Sequence, residues 1–289
     1  MTGSLHFVTI GIIIIIVEGV HMDKAIRNDI YDQAVKWVLE AGTIIRDEMN
    51  APLNIETKSN PNDLVTVLDK RIEAFFVQNI KEKYSNHFII GEEGYGDSVT
   101  SLDGTIWIID PIDGTMNFVH QRRNFAISVG VYQDGIGEIG IIYDVMSDVL
   151  YHAKKGEGAY KNNQQLPQLT SDVKLTNAII GMNHFWLCEN RLIDEKTMQN
   201  FVKKVRGTRT YGSAALEFAY TAEGIENGYL SIGLAPWDVA AGIVIVNEVG
   251  GVTSDIDGNE VNMLEKTSIL TCNPILKDEI ITFIRNGRK

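Results

Sequence analysis

The stretch WIIDPIDGTMNF, Trp107 to Phe118, decides how the chain is to be read. Trp107, Ile108 and Ile109 run as a buried strand, and the strand ends in two acids three positions apart, Asp110 and Asp113. A buried strand does not finish in two carboxylates unless something cationic is waiting, because an unpaired charge taken out of water is costly. Pro111 fixes φ, so the turn offers Asp110, the carbonyl of Ile112 and Asp113 from a rigid frame. Gly114 lets a ligand approach the backbone closely. Thr115 opens a short helix whose free N–H groups favour an anion. Metal cage and phosphate cradle are thus expected together between Asp110 and Thr115.

Two further acidic features sit at predicted element ends. Glu92 and Glu93 follow a short apolar strand in IIGEEG, and Asp238 stands near a helix start in APWDVAAG. Carboxylates gathered in this way repel one another unless a metal bridges them. Hard oxygen donors suit Mg2+, which keeps several waters and leans on substrate phosphate. Taken singly, each residue has a plainer reading. Asp238 is then an N-cap, Glu92 and Glu93 a solvated strand end, Asp69 an exposed helical acid, Lys58 a surface lysine, and Thr115 and Ser213 helix starters.

The chain has 289 residues and a net charge of −12, with no basic patch, which excludes nucleic acid as a partner. A small anionic substrate would also be repelled unless metal or backbone amides invert the local field. Cys188 and Cys272 are far apart and in no CxxC pattern, which fits free thiols in a reducing cytoplasm. The six histidines show no HxH or HExxH spacing, so no zinc site is expected. Residues 7–17, FVTIGIIIIIV, are intensely apolar but too short for a spanning helix. Residues 1–21 are therefore expected to be an extension outside the fold, with a membrane anchor at 7–17 as the alternative.

Helical spacing of Ile26, Ile30, Ala34, Trp37, Ala41 and Ile45 predicts a first helix over Asp23 to Met49. A loop with Pro52 and Pro61 follows, then a second helix from near Asp63 to Tyr84. Short strands at HFIIGEEG and TIWIIDP lead into an antiparallel meander over FAISVGVYQDG, GEIGIIYDV and DVLYHAKKGEGAY. Beyond Pro167 the elements mix: strands at AIIGMNHF, GYLSIG and SILTCN, and helices at Arg191 to Val205, SAALEFAYTAEG, WDVAAGIVIVNEVG and PILKDEIITFIRN. The class is α+β. The expected halves are 22–168, with the helical pair, the large sheet and the metal motifs, and 169–289, with Asp238 and substrate contacts.

NPNDLVTVLDK, GEE, WIIDPIDGTMNF, YGSAAL and PWDVAAG, in this order along the chain, resemble the inositol monophosphatase family of metal-dependent, lithium-sensitive sugar phosphatases, in its bacterial form. The resemblance covers nearly the whole chain from Asp23. It implies a layered αβαβα sandwich of the kind shared with fructose-1,6-bisphosphatase. It implies that Glu92, Asp110 and the Ile112 carbonyl bind a first Mg2+, and that Asp110, Asp113 and Asp238 bind a second, with a third ion often joining near Glu92. Thr115 and Asp69 match the pair that orients the attacking water, with Glu92 beside it. Gly114 and Thr115, with Asp113 and Asp238 close by, match the phosphate side. Gly212, Ser213 and Ala214 match contacts to the alcohol, and Glu93 and Lys58 match supporting positions near the metals.

The implied reaction is hydrolysis of a small phosphorylated metabolite, inositol monophosphate first, by metal-activated water without a covalent enzyme intermediate. A homodimer is also implied. One position departs from the animal enzymes of the family: Ser231 stands where they carry an acid that grips inositol hydroxyls. A neutral hydroxyl binds a sugar with less charge assistance, which keeps NADP(H), fructose 1,6-bisphosphate and 3′-phosphoadenosine phosphate as alternative substrates. A non-enzymatic metabolite-binding homologue is the reading from another class. It would be expected to lose one of Asp110, Asp113, Asp238 or Thr115, and all four are present.

Overall fold

A computed structural model describes residues 22–49, 55–57, 64–170 and 172–289. Residues 7–17 and Lys58 lie outside these described residues. The first helix, α1 (Lys24–Glu48), is capped by the Asp23 carboxylate, which accepts the N–H of Ala25 at 2.8 Å. It buries Ile30, Ala34, Trp37, Ala41 and Ile45 along one stripe, while Ile26 in its first turn is 55% exposed. The segment expected to be loop contains an antiparallel pair, β1 (Ile55–Thr57) and β2 (Leu64–Thr66). Three-residue strands are too short to show a period of two, and α2 (Val67–Lys83) accordingly starts later than expected.

The large sheet contains β3 (Phe88–Gly91), β4 (Thr105–Asp113), β5 (Ala126–Gln133), β6 (Ile136–Asp144), β7 (Val149–Lys154), β8 (Ala159–Lys161) and β9 (Gln164–Gln165), in that spatial order. β3 pairs with β4 in parallel, and the other neighbours are antiparallel. The parallel pair brings the C-terminal ends of two strands to one edge, so Glu92 arrives beside Asp110. A short helix, α3 (Thr115–Gln121), follows β4 directly.

The second sheet contains β10 (Ile179–Met182), β11 (Gly207–Arg209), β12 (Gly228–Leu234), β13 (Val252–Ser254) and β14 (Thr267–Cys272), in the order β11-β10-β12-β14-β13. Its helices are α4 (Glu195–Lys204), α5 (Ala214–Glu223), α6 (Pro236–Glu248) and α7 (Pro274–Asn286). Strand alternation sorts the core into layers. Trp107 and Ile109 of β4 pack with α1 and α2, whereas Ile106 and Ile108 pack with α5 and α6. Leu230 and Leu270 of the second sheet pack with α4 and α7. The order of layers is therefore α1/α2, first sheet, α5/α6, second sheet, α4/α7.

The middle layer is tight. A Cβ on Gly130 would stand 2.7 Å from that of Ala240, and one on Gly140 would stand 2.4 Å from the Ala241 carbonyl oxygen. Glycine at these two strand positions lets α6 lie directly on the sheet backbone. Gly140→Ala is expected to push α6 outward at a cost of about 1–3 kcal/mol, read as a lowered denaturation midpoint in urea. An unchanged midpoint would mean that the layer has slack.

Candidate active site

The pairing of β4 with β5 explains how two acids three positions apart reach one site. Asp110 lies opposite Ser128 and Asp113 lies opposite Ala126, so three steps on β4 match two on β5. This bulge at Pro111 and Ile112 adds one residue and returns Asp113 to the face that Asp110 occupies. Pro111 suits the extra position, since it has no N–H to give to the ladder. Asp238 comes to the same place from the first turn of α6. Carboxylate oxygens of Asp110, Asp113 and Asp238 lie within 4.8 Å of one another.

Each of the three acids is oriented by a donor of its own. Asp110, only 1% exposed, accepts the N–H of Ile112 at 3.0 Å. Asp238 accepts the N–H of Ala235 at 2.7 Å. Asp113 sits on the N-terminus of α5, where it accepts from Ala215 N–H at 2.9 Å, from Ala214 N–H at 3.3 Å and from the Ser213 hydroxyl in a short bond. These donors do not cancel the cost of gathering charge. Burial, then the charges of Glu92, Asp113 and Asp238, holds the Asp110 carboxyl well above the usual range. Burial raises Asp113 to about 6 against the pull of Ser213 and the α5 amides. Asp238 is raised to about 8, by burial first and Asp113 second. A pair of carboxylates at this separation repels by roughly 3–4 kcal/mol at an effective dielectric of about 20. A hard divalent cation converts that repulsion into ligation, and an all-oxygen donor set fits Mg2+.

Beside this triad, Glu92 comes within hydrogen-bonding reach of Asp110. Thr115 begins α3 with its hydroxyl 3.3 Å from Asp69 Oδ1 and 3.2 Å from the Ile112 carbonyl oxygen. Asp69 is fully buried in the first turn of α2. Gly114 adopts φ 92°, and a Cβ there would stand 3.1 Å from the Gly212 carbonyl oxygen. Gly212, Ser213, Ala214 and Ser231 line a cleft of about 230 Å³ that Asp113 and Asp238 close on one side. The structure thus brings together every described residue singled out from the sequence, with Glu93 on the adjoining loop.

Three side chains that organise the site were not singled out from the sequence. Buried Glu73 accepts the N–H groups of Glu93 at 2.6 Å and Tyr95 at 2.8 Å, and so shapes the loop that carries Glu92. Its signal was available: Glu73 lies four residues after Asp69 on the apolar stripe of α2. Asn117 donates to the carbonyls of Tyr211 at 2.6 Å and Asn124 at 2.8 Å, and so joins the two loops that meet at Gly114. Ser128 Oγ donates to the Trp237 carbonyl at 3.2 Å and fastens the start of α6 to β5. None of these three contacts joins immediate neighbours in sequence, so no local pattern announces them.

Comparison with known proteins agrees with this arrangement. The model of the inositol monophosphatase family matches residues 27–288. The chain belongs to that family. Among family relatives, it is 52% identical over 262 residues to the inositol-1-monophosphatase of Bacillus subtilis (strain 168), covering 91% of this chain and 98% of that protein. Two solved structures of the staphylococcal SaIMPase-II superpose closely. The one bound to inositol monophosphate has a TM-score of 0.80 at 41% identity, covering 89% of this chain and 94% of the other. The one bound to 2′AMP has a TM-score of 0.82 at 43% identity, covering 89% and 95%. Family membership makes the chain a phosphatase, and its layered α/β architecture is that of the family.

The raised carboxyls set the pH dependence of the protein without divalent ions. An unfolded chain loses its Asp protons near pH 4 or so, whereas folded Asp113 and Asp238 keep theirs up to about 6 and about 8. The folded state therefore binds more protons over this window, and stability is lost as pH rises through it. The melting temperature in chelator should fall steadily over that range, and saturating Mg2+ should remove most of the slope. A melting temperature that climbs with pH in chelator would contradict the electrostatics of the triad.

Proposed function

We propose that the chain is a Mg2+-dependent phosphomonoesterase for a small phosphorylated metabolite, with inositol monophosphate the first candidate. The observation that carries this reading is the triad of buried Asp110 and Asp113 and half-buried Asp238 facing the Asp69–Thr115 pair across the end of β4. Glu92, Asp110, the Ile112 carbonyl, Asp113 and Asp238 would hold two Mg2+ ions, with Glu92 also available to a third. Bound Mg2+ supplies charge neutralisation for the phosphoryl group and acidifies water at the site.

The remaining work belongs to the chain. Asp69 takes the Thr115 hydroxyl proton in a hydrogen bond, which leaves the lone pairs of Thr115 Oγ1 to accept from the attacking water. Gly114 and the amide of Thr115 present backbone to the phosphate, and a Cβ on Gly114 would press on the Gly212 and Asn124 carbonyl oxygens. Ser213, Ala214 and Ser231 face the alcohol from the cleft. Phosphoryl transfer needs mainly alignment and charge compensation, so no covalent enzyme intermediate is invoked.

Ser231 favours a second substrate class for the same chemistry. It is buried in the cleft wall and brings no charge, so a larger anionic substrate such as a nucleotide meets no carboxylate at that position. Binding of 2′AMP by SaIMPase-II supports including nucleotide phosphates beside NADP(H), fructose 1,6-bisphosphate and 3′-phosphoadenosine phosphate. The complete acidic set gives no support to an idle binding homologue. A homodimer acting in the cytoplasm completes the proposal, with sedimentation as the test of the dimer. Among the described residues no helix is long and apolar enough to cross a membrane.

Phosphate release measured over this panel with and without Mg2+ tests the reading. Asp113→Asn should lower Mg2+-dependent turnover by at least about a hundredfold, the scale of losing one transition-state stabiliser, with the fold intact by circular dichroism. Undiminished turnover in that variant would sink the assignment. Millimolar Li+ should inhibit at limiting Mg2+, and an indifferent rate would count against the proposed ion sites.

A further inference from the structure

Two buried acids at the back of the cleft, which Glu217 helps to line, have no part in the metal triad or the Asp69–Thr115 pair. Glu217 lies in the first turn of α5 and Glu226 in the turn before β12, and they are 2% and 1% exposed. Glu217 Oε1 accepts the N–H of Tyr211 at 2.8 Å, and the same carboxylate takes the N–H of Gly212. Among the described residues, its Oε2 and both oxygens of Glu226 receive no N–H or hydroxyl donor. The two carboxyls converge instead over Gly181 of β10. A Cβ on Gly181 would stand 2.3 Å from Glu217 Oε2 and 2.6 Å from Glu226 Oε2.

Two ionised carboxylates cannot satisfy each other, since both are acceptors only. One shared proton turns the contact into a short, charge-assisted O–H···O bond. The proton belongs on Glu226. Burial, and then the charge of Glu217, raises its carboxyl to about 9; burial raises Glu217 as well, but there the Tyr211 and Gly212 amides and the Glu226 contact oppose it. The other ionisable groups acting on the pair are Arg209 of β11, Tyr211 of the loop, Tyr220 of α5 and Tyr229 of β12.

We propose that Glu226, as a neutral acid, donates its proton to Glu217 and thereby fixes the Tyr211–Ser213 loop against the metal site. Glu226 is then a positioning residue for the alcohol part of the substrate. The loop is held on both sides: Glu217 takes the N–H of Tyr211 and Asn117 holds its carbonyl at 2.6 Å. Gly212 lines the cleft, and Ser213 passes the constraint on through its bond to Asp113. The role rests on the phosphatase reading above, whereas the shared proton does not.

The test uses the full chain with saturating Mg2+ and whichever phosphomonoester of the panel it hydrolyses best. Glu226→Leu removes the donor, and Glu226→Gln keeps an N–H donor that cannot ionise. Leu should raise KM at least about fivefold with kcat within about twofold, and Gln should restore KM. In the wild type kcat/KM should fall as pH rises through about 9, where Glu226 ionises, and Gln should flatten that limb. Infrared spectra near neutral pH should show a protonated carboxyl C=O band that Gln removes. An unchanged KM in Leu, a Gln variant as impaired as Leu, or an alkaline limb unmoved by Gln overturns the proposal. If Leu does not fold, Gln decides through its pH profile and infrared band. A wild type that hydrolyses no phosphomonoester but shows the band would overturn the phosphatase reading and leave the shared proton standing.

Discussion

Like charge held at close quarters is the constraint around which the site is built. Asp110, Asp113 and Asp238 have oxygens within 4.8 Å of one another, the first two buried and the third half-buried. Left to themselves, such side chains would turn apart into water. Each is prevented from doing so by a donor fixed in the backbone nearby: Ile112 for Asp110, Ala235 for Asp238, and the start of α5 for Asp113. The protein thus spends hydrogen bonds on keeping the carboxylates aimed at one another, which favours a cation-binding state over a relaxed empty one. Their raised carboxyl ranges follow from the same arrangement, since burial and mutual repulsion outweigh the donors.

That arrangement depends on the middle layer of the fold. Asp110 and Asp113 belong to the first sheet, while Asp238 leads the helix that lies between the sheets. Its position is set by backbone contact at Gly130 and Gly140 and by the Ser128 and Tyr132 hydroxyls, which donate to the Trp237 and Ala240 carbonyls. α5 packs against α6 and also supplies the amides that hold Asp113. One helix pair therefore positions acids from two parts of the chain, and core packing sets site geometry.

Much of this was legible in the sequence because it is local. The bend at Asp110 to Thr115, the helix-start position of Asp238 and the α+β class followed from short patterns, and the layering from the family resemblance. The stripe of α1 and the meander from β5 to β8 have clear periods and appeared where expected. The pair β1 and β2, the strands β11 and β13 and the two-residue β9 did not, since strands this short carry no readable alternation. Glu73, Asn117 and the Glu217–Glu226 pair escaped notice for another reason. An acid on the apolar stripe of α2 marks Glu73 in the sequence, but what these side chains hold lies as far as 94 residues away and is legible only once the chain has folded.

The bulge in β4 carries one more consequence, which concerns counting. Side chains along a strand alternate like odd and even numbers, and Asp110 and Asp113 have opposite parity. One extra residue restores agreement between them, and Ile112 takes the vacated place among the apolar side chains with Trp107 and Ile109. Drawing the same residues out as a regular strand, without the bulge, would exchange these assignments, sending the Asp113 carboxylate into the oily layer and Ile112 to the opposite face. The number of residues between the two acids matters as much as their charge, because arithmetic along the strand determines which side of the sheet each one faces.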